Sequence, residues 1–386
     1  MSRFLVRMPA GDVPALLAAL RVALDGSGPA VLPVAAATPA GAPEAADTAE
    51  AIDLDAALVI ETSGSTGAPK RVALSGDALL ASAEASADAV GGRGQWLLCL
   101  PGHYVAGSNV LVRSIHAGTE PVVMPPGHFD AAVFAACARE LSAPERYASL
   151  VPVQLARLVD AAEADSGIRT ELRRFDALLI GGQALRPELR ERAEALGVRL
   201  VRTYGSSETS GGCVYDGYPI GTTRARVADG LLELSGPTLA AGYLGDPERS
   251  AATFGTGPDG IRWYRTGDLG ELAADGRVTV LGRADNVIIS GGEKVLLDAV
   301  ERHVKGLPGL ADVVVVAAPS AEWGQVPVVV TTAADASLAG IRASAAAALG
   351  RAAQPARIVT VEAIPHLASG KPDRVALAVL ASAHAE

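Results

Sequence analysis

From about residue 57 the chain alternates short apolar runs with segments of helical spacing. Leu58–Glu61, Trp96–Leu100, Glu120–Met124, Tyr147–Val151, Ala177–Ile180 and Arg199–Arg202 are predicted as strands. Between them Ser75–Val90, Ala106–Ile115, Ala131–Leu141, Pro152–Ala164 and Pro187–Leu196 are predicted as helices. Strands alternating with helices imply βαβ units and a largely parallel sheet. Residues 213–282 change character: short alternating runs such as Leu231–Ser235 and Val278–Leu281 are separated by Gly, Pro and Asp, as in an antiparallel β region. Past Asp285 a third pattern follows, with helices over Val295–Val304 and Ser337–Arg351 and strands over Val313–Ala317 and Val326–Thr331. Upstream, Val13–Leu24 reads as a partly buried helix and Ala35–Ala51 as a Pro- and Ala-rich connector. The expected architecture is α/β. A large domain over residues 1–284 carries βαβ sheets and a β-rich region, and a small α+β domain over 285–386 follows a hinge within Arg283–Asn286. No internal repeat is visible.

Composition narrows the function classes. Of the 386 residues 49% are hydrophobic and 20% charged, ordinary for a globular chain and unlike a disordered, collagenous or coiled-coil one. Aromatic residues make up only 4%, so the core must be built from Ala, Val and Leu. A formal charge of −10 argues against nucleic acid or an anionic membrane surface as a partner. It leaves room for a small anionic substrate held by a few local cations. Cys99, Cys137 and Cys213 are far apart and odd in number, which speaks against a disulfide framework or zinc cluster and fits a reducing cytoplasm. Val13–Leu20 is interrupted by Pro14 and flanked by Asp12 and Arg21, a poor match for a cleaved leader. It is also far below the ~20 apolar residues that span a bilayer, so a soluble protein without stable membrane insertion is expected.

The most informative segment is Thr62-Ser63-Gly64-Ser65-Thr66-Gly67-Ala68-Pro69-Lys70, after a predicted strand and ahead of a predicted helix. Glycines let backbone N–H groups turn inward toward phosphate oxygens, hydroxyls add donors, and Lys70 adds charge. The spacing is neither that of a Walker loop nor G-x-G-x-x-G. Gly181-Gly182-Gln183 follows another predicted strand, where two glycines permit close approach of a planar ligand.

The loop Thr62–Lys70 resembles the phosphate loop of the adenylate-forming acyl-CoA synthetases, T-S-G-S-T-G-x-P-K, at every position. Further motifs of that family follow in order over residues 58–375, and what they imply is an ATP-dependent, AMP-forming ligase. The resemblance places Gly181, Gly182 and Gln183 beside the adenine. In Tyr204-Gly205-Ser206-Ser207-Glu208-Thr209, similar to the family's Y-G-x-[ST]-E-[ST], it gives Tyr204 an aromatic face for the base, Glu208 the Mg²⁺ and Thr209 the attacked phosphate. Tyr264-Arg265-Thr266-Gly267-Asp268 resembles Y-[RK]-T-G-D, with Asp268 on the ribose hydroxyls. Gly282-Arg283-Ala284-Asp285 resembles the G-R-x-D hinge, with Arg283 on the ribose side and Asp285 as pivot. Pro365–Lys371 resembles P-x-x-x-S-G-K and makes Lys371 the catalytic cation between the substrate carboxylate and the α-phosphate. Gly291, Gly292 and Lys294 match the loop that enters the site in the second half-reaction and helps form a tunnel for CoA.

Two segments, Leu100–Gly107 and Glu208–Tyr215, resemble the family members that join o-succinylbenzoate to CoA in menaquinone biosynthesis, in their short actinobacterial-type form. Most family members carry a longer region ahead of the phosphate loop, so part of the usual N-terminal layer is expected to be missing. The implied acid has two carboxylates, one activated and one recognised. A buried carboxylate needs a cation, and Arg113, nine residues after Tyr104, matches the position of the family's substrate arginine. His103, Tyr104, Gly107, Ser210 and Gly211 complete the expected acyl pocket. Where relatives have His-Val-Ser-Gly, this chain has Tyr104-Val105-Ala106-Gly107 with His103 one place earlier. Rival readings are a synthetase for another aryl or short-chain acid, a stand-alone adenylation module that loads a carrier protein, and a nucleotide-binding protein with a decayed site. Family members often associate, which keeps a homodimer among the expectations.

Overall fold

The structure is a computed structural model that describes residues 3–35, 50–62, 69–367 and 371–383. The chain divides into two units: Met1–Arg226 with Glu233–Arg265 and Ala273–Val278, and Val227–Leu232 with Thr266–Leu272 and Thr279–Glu386.

In the first unit a six-stranded sheet runs in the order Gly242–Tyr243, Lys70–Leu74, Leu58–Thr62, Ala30–Val34, Arg3–Pro9, Glu50–Ile52. Arg3–Pro9, Ala30–Val34 and Leu58–Thr62 are parallel, and the others pair antiparallel. The apolar stretch near the N-terminus is the crossover between the first two parallel strands, the helix Val13–Leu24. Asp12 caps it by accepting the Ala15 N–H, Pro14 occupies its first turn, and it buries Leu16, Leu17 and Leu20.

The second sheet has the order Tyr218–Pro219, Gly211–Tyr215, Leu200–Ser206, Ala177–Ile180, Arg146–Leu150, Gln95–Leu98, Val122–Val123. From Leu200–Ser206 to Val122–Val123 it is parallel, and Gly211–Tyr215 returns antiparallel on Leu200–Ser206. Ala177–Ile180 is buried at every position, which explains its unbroken apolar run. Its core contains Phe134, Phe175, Leu155, Leu158 and Leu178, with the two phenylalanine rings 5.5 Å apart between centres. The helix Gly76–Val90 starts at Ser75, whose Oγ accepts the Ala78 N–H at 3.1 Å, and ends at Gly91 with φ +97°. The expected β-rich region is present as a sheet in the order Arg224–Ala228, Leu231–Ser235, Arg262–Leu272, Phe254–Thr256, with Val278–Arg283 beside Arg262–Leu272.

The second unit holds a sheet in the order Glu293–Leu296, Val287–Ser290, Gly324–Thr331, Val313–Ser320, with Arg357–Thr360 beside Gly324–Thr331. Its central hairpin is covered on both faces. Val313 and Val315 pack with Leu297, Val300 and Ile341 on one side, while Val314 and Val316 pack with Leu377 and Ala381 on the other. Helices Leu297–Lys305 and Leu338–Leu349 supply the first side and Arg374–Ala383 the second.

Glu301, 8% exposed, ties these layers together. It accepts from Lys305 at 2.6 Å, from Arg374 at 2.6 Å and from the Val315 N–H at 3.1 Å. Burial pushes its carboxyl up, but the Arg374 and Lys305 charges and the Lys305 and Val315 hydrogen bonds outweigh burial and hold it below the ordinary value. A carboxyl lowered by folding stabilises above its unfolded pKa, and that stability is lost as pH falls through the folded one. Unfolding measured against pH is therefore expected to show the second unit weakening from about pH 4.3 downward. Glu301→Gln is expected to be less stable at pH 7 and to lack that dependence. A constant gap between variant and native protein across this range would contradict the coupling.

Several elements differ from the sequence reading. Strands Arg3–Pro9, Ala30–Val34, Lys70–Leu74 and Arg357–Thr360, and helices Ser166–Leu172, Pro247–Thr253 and Arg374–Ala383, were not anticipated. The helix expected from Val295 starts at Leu297, because Val295 and Leu296 close a hairpin with Ile288 and Val287. The expected Ala35–Ala51 connector lies outside the described residues over 36–49, and Glu50–Ile52 is an edge strand.

Candidate active site

The glycine-rich segment joins two neighbouring antiparallel strands. Thr62 ends one, Lys70 opens the next, and the two residues are paired. Ser63, Gly64, Ser65, Thr66 and Gly67 lie outside the described residues. A strand, Lys70–Leu74, intervenes before the expected helix. Lys70 Nζ stands 5.7 Å from the centre of the Tyr243 ring, and the Tyr243 hydroxyl donates to Glu208 Oε1 at 2.8 Å. The structure thus brings Lys70 and Glu208 together through Tyr243, a residue that sequence reasoning passed over inside an alternating strand pattern. Burial and then the Glu208 charge push the Tyr243 phenol up, so it stays a donor.

Glu208 is 8% exposed and makes one side-chain hydrogen bond among the described residues. A hard oxygen donor whose second oxygen has no hydrogen bond among the described residues suits Mg²⁺, which is held by one or two carboxylates plus substrate phosphates. Among the described residues no group of three or more His, Cys, Asp or Glu could hold a metal alone. The remaining ligands would therefore come from phosphate and water.

The backbone around Glu208 is tightly specified. A Cβ on Gly205 would lie 2.1 Å from the Gly211 carbonyl oxygen, so residue 205 has no room for a side chain. Thr209 Oγ1 accepts the Ser206 N–H at 2.9 Å and donates to the Gly211 carbonyl at 2.7 Å. Ser210, at φ +52°, has its carbonyl gripped by Asn109 Nδ2 at 2.8 Å and Ser82 Oγ at 3.0 Å. Its own hydroxyl donates to the Thr238 carbonyl. Asn109 and Ser82 were also missed, though each is a buried polar residue in an apolar helix, the pattern that asks for a partner. Gly181 and Gly182 follow Ala177–Ile180, and a Cβ on Gly181 would meet Thr203 Oγ1 at 2.6 Å. Gln183 is exposed beside them, and Tyr204 is half-buried at the end of Leu200–Ser206.

The helix Val105–Ala117 and the turn before it hold several of the residues expected on the acyl side. Gly107 lets it start against the preceding loop, since a Cβ there would stand 2.2 Å from the Pro101 carbonyl oxygen. The His103 and Tyr104 rings meet at a tilt of 50° with 4.2 Å between centres. Burial pushes the His103 ring down and the Tyr104 phenol up, so both are neutral at physiological pH. Further along the helix, Arg113 is 6% exposed. Its guanidinium donates to Tyr215 Oη at 3.2 Å and Ser149 Oγ at 3.4 Å and lies 4.8 Å from the Trp96 ring centre. Among the described residues its Nε has no hydrogen-bond partner and no carboxylate pairs with it. Tyr215 is held in turn by Ser86 Oγ at 2.8 Å. Cys213, on the same strand as Tyr215, is buried, and burial pushes its thiol up to about 12. Burial likewise raises the Cys99 and Cys137 thiols.

In the second unit, Arg283 donates to both Asp285 oxygens at 3.2 and 3.1 Å, to the Thr266 carbonyl at 3.0 Å and to Asp268 Oδ1 at 3.4 Å. The three charged residues assigned to ribose and hinge are thus one cluster. Gly291 and Gly292, at φ +58° and +85°, form the two-residue turn between Val287–Ser290 and Glu293–Leu296, with Lys294 exposed on the return strand. Trp323 fills the space a Cβ on Gly291 would need. Lys371 is exposed on the returning arm of a short hairpin, whose residues Ala368–Gly370 lie outside the described set.

A helix-flanked parallel sheet and a separate small α+β unit carry the motif residues. Residues 16–244 match the AMP-binding enzyme family and residues 299–371 match the AMP-binding enzyme C-terminal domain, so the chain belongs to that family. It is 39% identical over 96% of its length to the probable 2-succinylbenzoate–CoA ligase of Mycobacterium tuberculosis, 97% of which is covered. The o-succinylbenzoate CoA synthetase MenE of Bacillus subtilis, in complex with the acyl-adenylate intermediate OSB-AMP, aligns with a TM-score of 0.71 and 26% identity, covering 85% of this chain and 70% of that one. The same protein in complex with ATP and magnesium ion aligns at a TM-score of 0.71 and 25% identity, covering 87% and 73%. No helix among the described residues is long and apolar enough to cross a membrane.

Proposed function

We propose that the chain ligates o-succinylbenzoate to CoA with ATP and Mg²⁺, as a step of menaquinone biosynthesis. The observation that carries the substrate is Arg113, a buried guanidinium with hydroxyl and aromatic neighbours and no carboxylate among the described residues. A charge kept out of water without an anion is costly, and a bound carboxylate removes that cost. The likeness to ligases of that acid over nearly the whole chain supports the same choice.

In the first half-reaction the succinyl carboxylate attacks the α-phosphorus of ATP, the bond to the β-phosphate oxygen breaks, and pyrophosphate leaves. Glycine-loop N–H groups, its hydroxyls and Lys70 hold the phosphates, Thr209 stands by the attacked one, and Lys371 balances charge building between carboxylate and phosphate. Mg²⁺, held by Glu208 and phosphate oxygens, supplies neutralising charge when bound. Tyr204, Gly181, Gly182 and Gln183 border the adenine, and Asp268 and Arg283 the ribose. In the second half-reaction the CoA thiolate attacks the acyl carbonyl and AMP leaves. Rotation of residues 285–386 about Asp285 exchanges Lys371 for Gly291–Lys294 between the steps.

The test is pyrophosphate release by the purified protein with ATP, Mg²⁺, CoA and a panel of acids. Release with o-succinylbenzoate, with AMP and a CoA thioester as co-products, is expected. Release with a different aryl or short-chain acid alone would overturn the substrate and keep the family chemistry. Adenylate formation without transfer to CoA would favour a carrier-protein acceptor.

A further inference from the structure

Asp298 stands in the first turn of Leu297–Lys305 and holds both sides of the expected pivot. Its Oδ2 accepts the Arg283 N–H at 2.8 Å, and its Oδ1 accepts Asn286 Nδ2 at 2.9 Å. Residue 282 is glycine where this carboxylate passes, since a Cβ would lie 2.5 Å from Asp298 Oδ2. Arg374 approaches the same helix from another direction. It pairs with Glu301 at 2.6 Å, donates to the Val315 carbonyl at 2.8 Å and lies 3.6 Å from Asp298 Oδ1.

Arg374 is also the foot of the hairpin that bears Lys371. The Leu367 N–H donates to the Lys371 carbonyl at 2.8 Å, and the Asp373 N–H donates to the Pro365 carbonyl at 2.8 Å. His366 and Pro372 are paired across the hairpin, and Asp373 caps the following helix by accepting the Ala376 N–H at 3.0 Å. The pivot segment and the lysine hairpin are thus fastened to one helical turn by two neighbouring acidic side chains and one arginine.

We propose that Asp298 and Arg374 are positioning residues that join the pivot Arg283–Asn286 and the Lys371 hairpin into a single rigid piece. This rests on the reading that Lys371 serves adenylation. An exposed lysine on a flexible stem is placed by its backbone, so any slack between pivot and hairpin becomes misplacement of the ammonium. A misplacement of about 1 Å at a reacting centre costs up to ~10²-fold in rate.

The experiment compares full-length Asp298→Asn, Arg374→Gln, Arg374→Lys and Lys371→Ala in three assays. These are pyrophosphate release, thioester formation from supplied acyl-adenylate, and thermal unfolding. Asp298→Asn and Arg374→Gln are expected to slow adenylation roughly tenfold or more while thioester formation stays within about twofold. Arg374→Lys is expected to recover most of the loss, because an ammonium still reaches Glu301. Arg374→Gln leaves Glu301 short of a partner; if that variant fails to fold, Asp298→Asn, which keeps the shape and an acceptor for the Arg283 N–H, decides alone. Equal slowing of both half-reactions, or none in either, in folded Asp298→Asn would overturn the inference. Loss of adenylation in Lys371→Ala beside full adenylation in Asp298→Asn would overturn this inference only. Adenylation retained by Lys371→Ala would overturn it together with the role of Lys371.

Discussion

Lys371→Ala is expected to abolish adenylation, by about 10²-fold or more, and to spare thioester formation from acyl-adenylate supplied in solution. Charge builds on the phosphate oxygens only in the first half-reaction, so a cation placed for that moment lowers that barrier alone. The side chain is exposed and pairs with no carboxylate among the described residues, so truncating it removes no ion pair seen there. Its unfolding temperature is therefore expected to match that of the native protein. The decisive measurement is the ratio of the two half-reaction rates; a folded variant that loses both steps equally would remove Lys371 from its role.

Arg113→Leu is expected to raise the KM for o-succinylbenzoate or lower kcat/KM by a factor equivalent to about 2–5 kcal/mol, with ATP affinity little changed. Stability is expected to move the other way. The guanidinium is buried against Ser149, Tyr215 and Trp96 with no carboxylate among the described residues, an arrangement that costs desolvation and returns hydroxyl bonds and a ring contact. A leucine avoids that cost, so the variant should unfold at the same temperature or higher. Loss of function with gain of stability marks a residue kept for its ligand. An unaltered response to the acid would refute the assignment, and a matched loss of stability would make Arg113 a packing residue.

Much of this was legible in the residues, for identifiable reasons. Segments whose periodicity records burial were read well: Pro152–Ala164 and Ala177–Ile180 have the predicted bounds, since one packs a single face and the other is enclosed on both. Lys70–Leu74 and Arg3–Pro9 were not seen, because each begins with a charged, partly exposed residue and is only five to seven residues long, which leaves little period-2 contrast. The run Val313–Val316 implied more than was taken from it. Alternate valines face opposite sides, so two layers had to cover the hairpin, and the unanticipated helix Arg374–Ala383 is the second. At the site, motif residues were legible because their chemistry is local, whereas Tyr243, Asn109 and Ser82 act across 35, 101 and 128 positions of sequence. No spacing rule reaches that far.

The buried thiol of Cys213 gains meaning from the intermediate the proposed reaction makes. A mixed anhydride of a carboxylic acid and AMP acylates thiolates readily, and an enzyme that forms one risks modifying itself. With its thiol pushed up by burial, Cys213 is held in the un-ionised form, which is not the attacking species. The strand that presents Tyr215 to Arg113 can therefore carry a sulfur without offering a competing nucleophile. Chemoselectivity for the incoming thiol is in this sense a property of the core: the packing that keeps water from Cys213 also keeps the acyl group from ending on the protein.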